Sequence, residues 1–252
     1  MTTIWHDVEC GAYEADLPLW GELADEGGGP VLDLGCGSGR VSLHLARRGH
    51  RVLGLDSDPD LVSVLAERAS GLPVEAEVGD ARDFDLGVEF GTVLVPMQLL
   101  QLFADTEERI SCLRCVGAHL RPGARAAIAI VEDLPTTIPP SPSSRLVTVS
   151  ETKRELGPPL PDAREVDGWV YSSLPLEIAV DDGTIVVRRL RQTVDPAGDL
   201  SEEVDEVRLQ ALDAATVENE AREAELRPVG CRAIDPTDAH VGSTVVLLER
   251  GA

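Results

Sequence analysis

The sequence predicts an α/β fold: a doubly wound, mostly parallel seven-stranded sheet with an inserted antiparallel β-meander and an N-terminal helical cover. Three observations lead to this prediction. An apolar run at residues 31–34 ends in alternating glycines, V-L-D-L-G-C-G-S-G. Strand and helix patterns then alternate as far as residue 131. Farther along, Asp181-Asp182-Gly183 separates two apolar runs, which is a strong hairpin signal.

The first 30 residues precede the sheet. Asp16 predicts the N-cap of a short helix that runs to about Glu26. The glycines and proline at 27–30 end this helix. The residues before Ala15 have no clear period, but three of their side chains could cover a ligand: Trp5, His6 and Tyr13.

The central part of the chain repeats a strand and helix unit. Strands are predicted at 31–34, 51–56, 74–78, 91–95 and 125–131, and helices at 41–48, 59–69 and 106–120. This order is typical of a parallel sheet with helices on both faces. Ligands of such sheets lie outside the carboxyl ends of the strands. Four residues fall at those ends: Gly35, Asp56, Asp80 and Met97.

The remainder departs from this repeat. Prolines, serines and threonines predict a long irregular segment at 132–157, and three strands of a meander follow at 169–180, 184–194 and 204–209. Asp213 caps a last helix, and strands at 231–234 and 243–248 could close the sheet as an antiparallel hairpin. We therefore expect one domain over residues 1–252, with a ligand-binding core at 30–131 and an inserted antiparallel region at 150–210.

Composition limits the function. The formal net charge of −23 would repel the phosphates of nucleic acids and anionic membranes, so neither is an expected partner. No stretch resembles a signal peptide or a membrane span, and five cysteines form an odd set without metal-site spacing. We expect a cytoplasmic protein with reduced thiols and no metal site. The oligomeric state is left open.

The glycine spacing selects among ligands. A dinucleotide motif, G-x-G-x-x-G, would require a glycine where Arg40 or Ser42 stands. The remaining pattern, D-x-G-x-G-x-G, resembles motif I of the class I S-adenosylmethionine-dependent methyltransferases, which have a Rossmann-like fold. The resemblance implies that Asp33 lies near the cationic methionine end of the cofactor. It also implies close backbone contacts at Gly35, Cys36, Gly37 and Gly39.

The later strand ends extend this resemblance. It implies that Asp56, with Ser57 beside it, accepts hydrogen bonds from the two ribose hydroxyls of the cofactor. It implies that Asp80 accepts the adenine amino group, that the Ala81 N–H meets the ring, and that Met97 borders the site. Taken singly, each acid could be an ordinary residue at a strand end, and the glycine turn could hold no ligand. Three acids at three successive strand ends favour S-adenosyl-L-methionine.

The acceptor is less well defined. After the fourth strand the chain has Val95-Pro96-Met97-Gln98, which lacks the Asn/Asp-Pro-Pro-aromatic motif of enzymes that methylate amino groups of bases or of glutamine. Carboxylates for a catalytic metal are also absent there. The acceptor-side candidates are Tyr13, Gln98, Glu132, Tyr171 and His240, among which Glu132, His240 and Tyr13 are weak catalytic candidates.

The sequence thus predicts methyl transfer from S-adenosylmethionine to O, N or C of a small molecule. A non-catalytic S-adenosylmethionine-binding regulator or partner protein is the alternative. An NAD-dependent oxidoreductase would share the fold but does not match the glycine spacing.

Overall fold

The structure of the protein, a computed structural model, describes residues 2–132, 161–237 and 240–251. The strands are β1 (Val31–Leu34), β2 (Val52–Asp56), β3 (Val74–Val78), β4 (Phe90–Val95), β5 (Leu120–Ile130), β6 (Asp162–Val166), β7 (Trp169–Asp181), β8 (Thr184–Val194), β9 (Leu200–Gln210), β10 (Leu226–Ile234) and β11 (Ser243–Arg250). The helices are α1 (Thr2–Cys10), α2 (Leu17–Gly27), α3 (Arg40–Arg47), α4 (Pro59–Arg68), α5 (Thr106–His119) and α6 (Ala214–Glu223), with a 3-10 helix at Leu99–Leu102.

Seven strands form the larger sheet, in the order β10-β11-β5-β4-β1-β2-β3. Strands β1 to β5 pair in parallel, whereas β11 is antiparallel to both β5 and β10. The four strands β6 to β9 form a separate antiparallel sheet in chain order. The predicted parallel sheet, its terminal hairpin and the antiparallel meander are confirmed.

Side chains of β1 alternate between the two faces of the larger sheet. Leu32 and Leu34 belong to an apolar cluster that includes residues of α5 and α6. Val31 belongs to a second cluster with Trp20 of α2 and Leu45 of α3. Helices therefore cover both faces, as the doubly wound pattern predicts. By the same alternation, Asp33 points toward α3.

The N-terminal region differs from its prediction. Residues 2–10 form α1, in which Trp5 and Val8, three positions apart, are buried on one face. Contacts of acidic side chains hold this helix, because Asp7 pairs with Arg68 of α4 and Arg164 of β6, while Glu9 pairs with Arg191 of β8. These polar contacts add to the burial of Trp5 and Val8, a pair too short to stand out as a period in the sequence.

Two other local predictions differ from the structure in part. Asp16 occupies the N-cap position of α2, as predicted, but its side chain makes no capping bond and instead accepts hydrogen bonds from Trp20 and Arg40. Strand β5 begins at Leu120 rather than 125, so Pro122 lies within it. The pairing of β4 with β5 changes register between Phe90 and Thr92, and such an irregularity tolerates a proline.

The antiparallel sheet of β6 to β9 has one more strand than predicted, and one of its strands is longer than predicted. Strand β6 was not expected, since most of its side chains are exposed and its sequence, D-A-R-E-V, is largely polar. Strand β9 begins at Leu200 rather than 204. Apart from Glu132, the predicted irregular segment at 132–157 lies outside the described residues. None of the helices that the structure describes is long and apolar enough to cross a bilayer.

Candidate cofactor site

The glycine turn joins β1 to α3 and folds back on β2. The amides of Gly35 and Cys36 donate to the carbonyl oxygen of Leu55, at 2.8 and 3.2 Å. Gly35, Gly37 and Gly39 all have positive φ angles, of 73°, 54° and 97°. Residues with a Cβ atom rarely adopt this conformation, which explains the glycine at each position.

A cavity of about 130 Å³ opens beside this turn, at the carboxyl ends of β1, β2 and β3. Five of the predicted cofactor residues line it: Gly35, Asp56, Ser57, Asp80 and Ala81. The structure adds four side chains that the sequence did not single out: Leu55, Arg82, Leu99 and Phe103. Apolar side chains with carboxylates among them suit adenosine, which has an apolar ring and polar edges.

The Asp56 carboxylate is fixed by backbone amides. Its Oδ2 atom accepts from the Gly37 amide at 2.8 Å, and its Oδ1 atom accepts from the Asp58 amide at 3.0 Å. Each carboxylate oxygen has two lone pairs, so each oxygen can accept a further hydrogen bond. Asp56 is thus held in place with the capacity to accept two further hydrogen bonds.

Asp80 is paired with its neighbour. The Arg82 Nη2 atom lies 2.6 Å from Asp80 Oδ2, and the Arg82 amide donates to Asp80 Oδ1 at 2.9 Å. These hydrogen bonds lower the pKa of Asp80 to about 2. Arg82 also bonds to Glu108, and its guanidinium carbon lies 5.6 Å from the centre of the Phe103 ring. Arg82 therefore both orients the Asp80 carboxylate and covers part of the cavity.

Asp33 lies behind the turn and is almost completely buried. Its Oδ2 atom accepts from the Ser42 hydroxyl at 2.6 Å, whereas its Oδ1 atom has no hydrogen-bond partner among the described residues. Burial raises the pKa of Asp33 to about 6, although the Ser42 hydrogen bond acts in the opposite direction. A buried carboxylate with an unused oxygen is costly unless a cation or donor approaches it. The structure thus fits a cationic cofactor next to the turn.

Four other predicted cofactor residues lie outside the cavity lining: Cys36, Gly37, Gly39 and Met97. Cys36 is buried against α4, in a cluster with Leu65. Met97 follows β4 with a φ of 58°, which is unusual for a residue other than glycine and marks a strained strand end. Gly37 is covered by α1, where the ring of His6 lies against it.

The acceptor-side candidates divide into separate groups. The rings of Tyr13 and His240 are in contact, with centres 4.8 Å apart. Burial, followed by the Asp16 charge, raises the pKa of Tyr13. Glu132 is occupied elsewhere, because its carboxylate accepts from the Ala214 amide at 2.7 Å and from the Thr244 hydroxyl.

The two remaining candidates lie in different surroundings. The Tyr171 ring packs edge-on against Trp5 of α1, with centres 5.6 Å apart. Gln98 precedes the 3-10 helix, and its carbonyl oxygen accepts from the Gln101 amide at 2.9 Å. Sequence reasoning missed Arg82, although its position two residues after Asp80 at a strand end was a usable signal.

Comparisons with known proteins agree with this geometry. A family described as a methyltransferase domain matches residues 31–123. Cypemycin N-terminal methyltransferase from Streptomyces sp is 32% identical over 139 residues, which are 52% of this chain and 57% of that protein. The chain therefore aligns with little more than half the length of that relative.

Two solved structures share the fold over almost the whole chain. An amino pentose methyltransferase of calicheamicin biosynthesis from Micromonospora echinaspora has a TM-score of 0.70 and 18% identity, covering 98% of this chain and 96% of its own. The sugar N-methyltransferase from Streptoalloteichus sp ATCC 53650 has a TM-score of 0.70 and 20% identity, covering 99% and 91%. The resemblance to the class I, Rossmann-like superfamily of S-adenosylmethionine-dependent methyltransferases is thereby confirmed, with the matching methyltransferase domain at residues 31–123.

Proposed function

We propose that this protein transfers the methyl group of S-adenosylmethionine to an amine nitrogen of a small molecule. The observation that carries the proposal is the convergence of three strand ends on one cavity, with the glycine turn, Asp56 and Asp80 at its edge. When bound, the cofactor would supply a methyl group whose carbon a nucleophile can attack, with the sulfur of S-adenosylhomocysteine as the leaving group. The protein has to align the reactants and exclude water.

The cofactor contacts that we propose are those of the sequence resemblance. Asp56 and Ser57 would hold the ribose, and Asp80 and Ala81 the adenine. The backbone of residues 35–39, together with Asp33 and Met97, would border the methionine half. The binding core would be residues 30–131 of a single domain, and the smaller sheet would belong to the acceptor side.

Two observations support an amine acceptor: the acceptors named for similar methyltransferases and the negative net charge of this protein. The relative above is named an N-terminal methyltransferase, and the two structural neighbours act on an amino pentose and on a sugar nitrogen. Aliphatic amines are cations at neutral pH, and a protein with a net charge of −23 attracts cations to its surface. An amine must lose a proton to act as a nucleophile. The imidazole of His240, whose ring contacts Tyr13, is our candidate to receive that proton.

The test is turnover over a panel of acceptors. The purified protein would be incubated with S-adenosylmethionine that carries a labelled methyl group. The acceptors would be amino sugars and short peptides with free N-termini, alongside hydroxyl and carboxyl analogues of the same size. Labelled product, with one S-adenosylhomocysteine released per methyl group, is expected from the amines.

Two other outcomes would change the proposal. Product from only the hydroxyl or carboxyl compounds would contradict the amine assignment and leave methyl transfer standing. Tight cofactor binding without turnover of any compound would favour the regulatory alternative.

A further inference from the structure

Helix α1 lies between the glycine turn and the smaller sheet. Asp7 accepts from the Ser38 hydroxyl of the turn at 2.6 Å and from Arg164 of β6 at 2.7 Å. Two residues later, Glu9 accepts from Arg191 of β8 at 2.8 Å. These contacts attach α1 to the glycine turn on one side and to the smaller sheet on the other. They also fix the position of a neighbouring side chain of α1 that faces the turn. That side chain is His6.

The His6 ring lies directly on Gly37. A Cβ atom at position 37 would overlap the Nε2 and Cε1 atoms of this ring. The Gly37 amide meanwhile donates to Asp56 Oδ2, the carboxylate assigned to the ribose. The Nε2 side of the imidazole therefore lies against the turn at the residue that binds Asp56, and neither His6 nor Gly37 is among the residues that line the cavity.

Hydrogen bonding determines which ring nitrogen carries the proton. The Ser38 hydroxyl has one hydrogen, which it donates to Asp7 Oδ1 at 2.6 Å. The Nδ1 atom of His6 lies 3.2 Å from the same hydroxyl oxygen, which can then only accept. Nδ1 is consequently the protonated nitrogen, and Nε2 presents a lone pair.

The charge state of the imidazole agrees with this tautomer. Burial lowers the pKa of His6 below its ordinary value, although the nearby carboxylates of Asp56 and Asp7 act in the opposite direction. The ring is therefore neutral at physiological pH. Burial alone would raise the pKa of Asp7, but hydrogen bonds from Arg68 and Ser38 outweigh it, and the net direction is downward. Asp7 is thus a stable acceptor for Ser38.

From this geometry we infer that His6 contacts the amino-acid half of the cofactor, with Nε2 accepting a hydrogen bond from its α-ammonium group. The inference rests on the proposed function. In the amino-acid half, the ammonium group is a donor, whereas the carboxylate only accepts. A neutral nitrogen with a lone pair is complementary to the ammonium group alone. His6 lies outside the residues that match the methyltransferase family, which begin at residue 31.

The experiment compares two ligands by isothermal titration. S-adenosylhomocysteine carries the amino acid, whereas 5′-methylthioadenosine has the same adenosine and thioether without it. For His6→Ala we expect the affinity for S-adenosylhomocysteine to fall about tenfold or more, which is the usual effect of losing a hydrogen bond to a charged group. The affinity for 5′-methylthioadenosine, measured directly or by displacement, should stay within about twofold.

Two variants separate the imidazole from the docking of α1. His6→Gln places a carbonyl oxygen near the position of Nε2 and should recover most of the lost affinity. Glu9→Gln weakens the contact of α1 with Arg191, which helps to position His6, so its affinity for S-adenosylhomocysteine should fall by clearly less than that of His6→Ala.

The outcomes distinguish the inference from the proposed function. Equal losses for both ligands in His6→Ala, or an equal loss in Glu9→Gln, would overturn the inference, because helix docking would then be the cause. Unchanged affinity in His6→Ala would overturn it as well. A wild-type protein that binds neither ligand would contradict the proposed function itself.

Discussion

The buried pair of Asp16 and Arg40 gives a prediction whose size follows from the structure. Asp16 accepts from Arg40 Nη1 and Nη2 at 2.5 and 2.7 Å and from Trp20 Nε1 at 2.7 Å. Its side chain is 1% exposed, and that of Arg40 is 10% exposed. Asp16→Asn keeps the shape but removes the charge, so the Arg40 cation stays buried without a counter-ion.

Breaking such a pair costs about 3 to 5 kcal/mol. For a protein of this size, about 3 kcal/mol lowers the Tm by about 6 to 12 °C. The measurement is urea unfolding of both proteins at pH 7, with a thermal melt as a second readout.

The matched control is Asp25→Asn, since Asp25 pairs with Arg48 on the surface, where their side chains are 56% and 43% exposed. That change should cost less than about 1 kcal/mol. The double variant Asp16→Asn with Arg40→Met removes both charges and should recover much of the loss. Equal costs for the two single variants would refute the reasoning from burial.

Three further predictions concern the site. The pKa of Asp33 is about 6 in the folded protein and 3.8 ordinarily, so between these two pH values the folded protein binds a proton that the unfolded chain has released. This difference corresponds to at most about 3 kcal/mol in the free energy of unfolding. Stability from this group is therefore lost as pH rises from about 4 to 6, and urea unfolding should show the advantage of Asp33→Asn over wild type growing through that window. Gly37→Ala, which forces a Cβ into positive φ and against His6, should lose about 1 to 2 kcal/mol or more in the same assay. Arg82→Ala should weaken S-adenosylhomocysteine binding by about two- to fivefold in a titration, since Asp80 loses its orienting partner, while an unchanged affinity would remove Arg82 from the site.

The parallel sheet and its glycine turn were predictable because their signals are local. The apolar run at 31–34, the positive-φ glycines and the Asp58 cap of α4 each have a short-range physical cause. The Asp58 side chain accepts from the amides of Asp60 and Leu61, as expected of an N-cap followed by proline.

The contacts of α1 were not predictable, because they join residues that are distant in sequence. Asp7 meets Arg164 and Glu9 meets Arg191, at separations of 157 and 182 residues. No periodicity within the helix encodes these partners. The position of His6 on the glycine turn depends on them, so the sequence alone indicates only that His6 could cover a ligand.

The acceptor-side candidates show the same limit. Tyr13 and His240 come together although 227 positions separate them, which no local pattern could indicate. Glu132 directly follows the predicted fifth strand and is one of the acceptor-side candidates. Its carboxylate instead bonds to the start of α6 and to β11, two elements whose positions depend on the folded chain.

The central claim is that the ends of β1, β2 and β3 bind an adenosyl cofactor, and one titration tests it most directly. S-adenosylhomocysteine would be titrated into the wild type, Asp56→Ala and Asp58→Ala. Asp58→Ala is the matched control, because it also removes a carboxylate that accepts two backbone amides but lies outside the cavity.

We predict that the wild type and Asp58→Ala bind with similar affinity and that Asp56→Ala binds at least about tenfold more weakly. Absence of binding by the wild type, or equal affinities for Asp56→Ala and Asp58→Ala, would contradict the account.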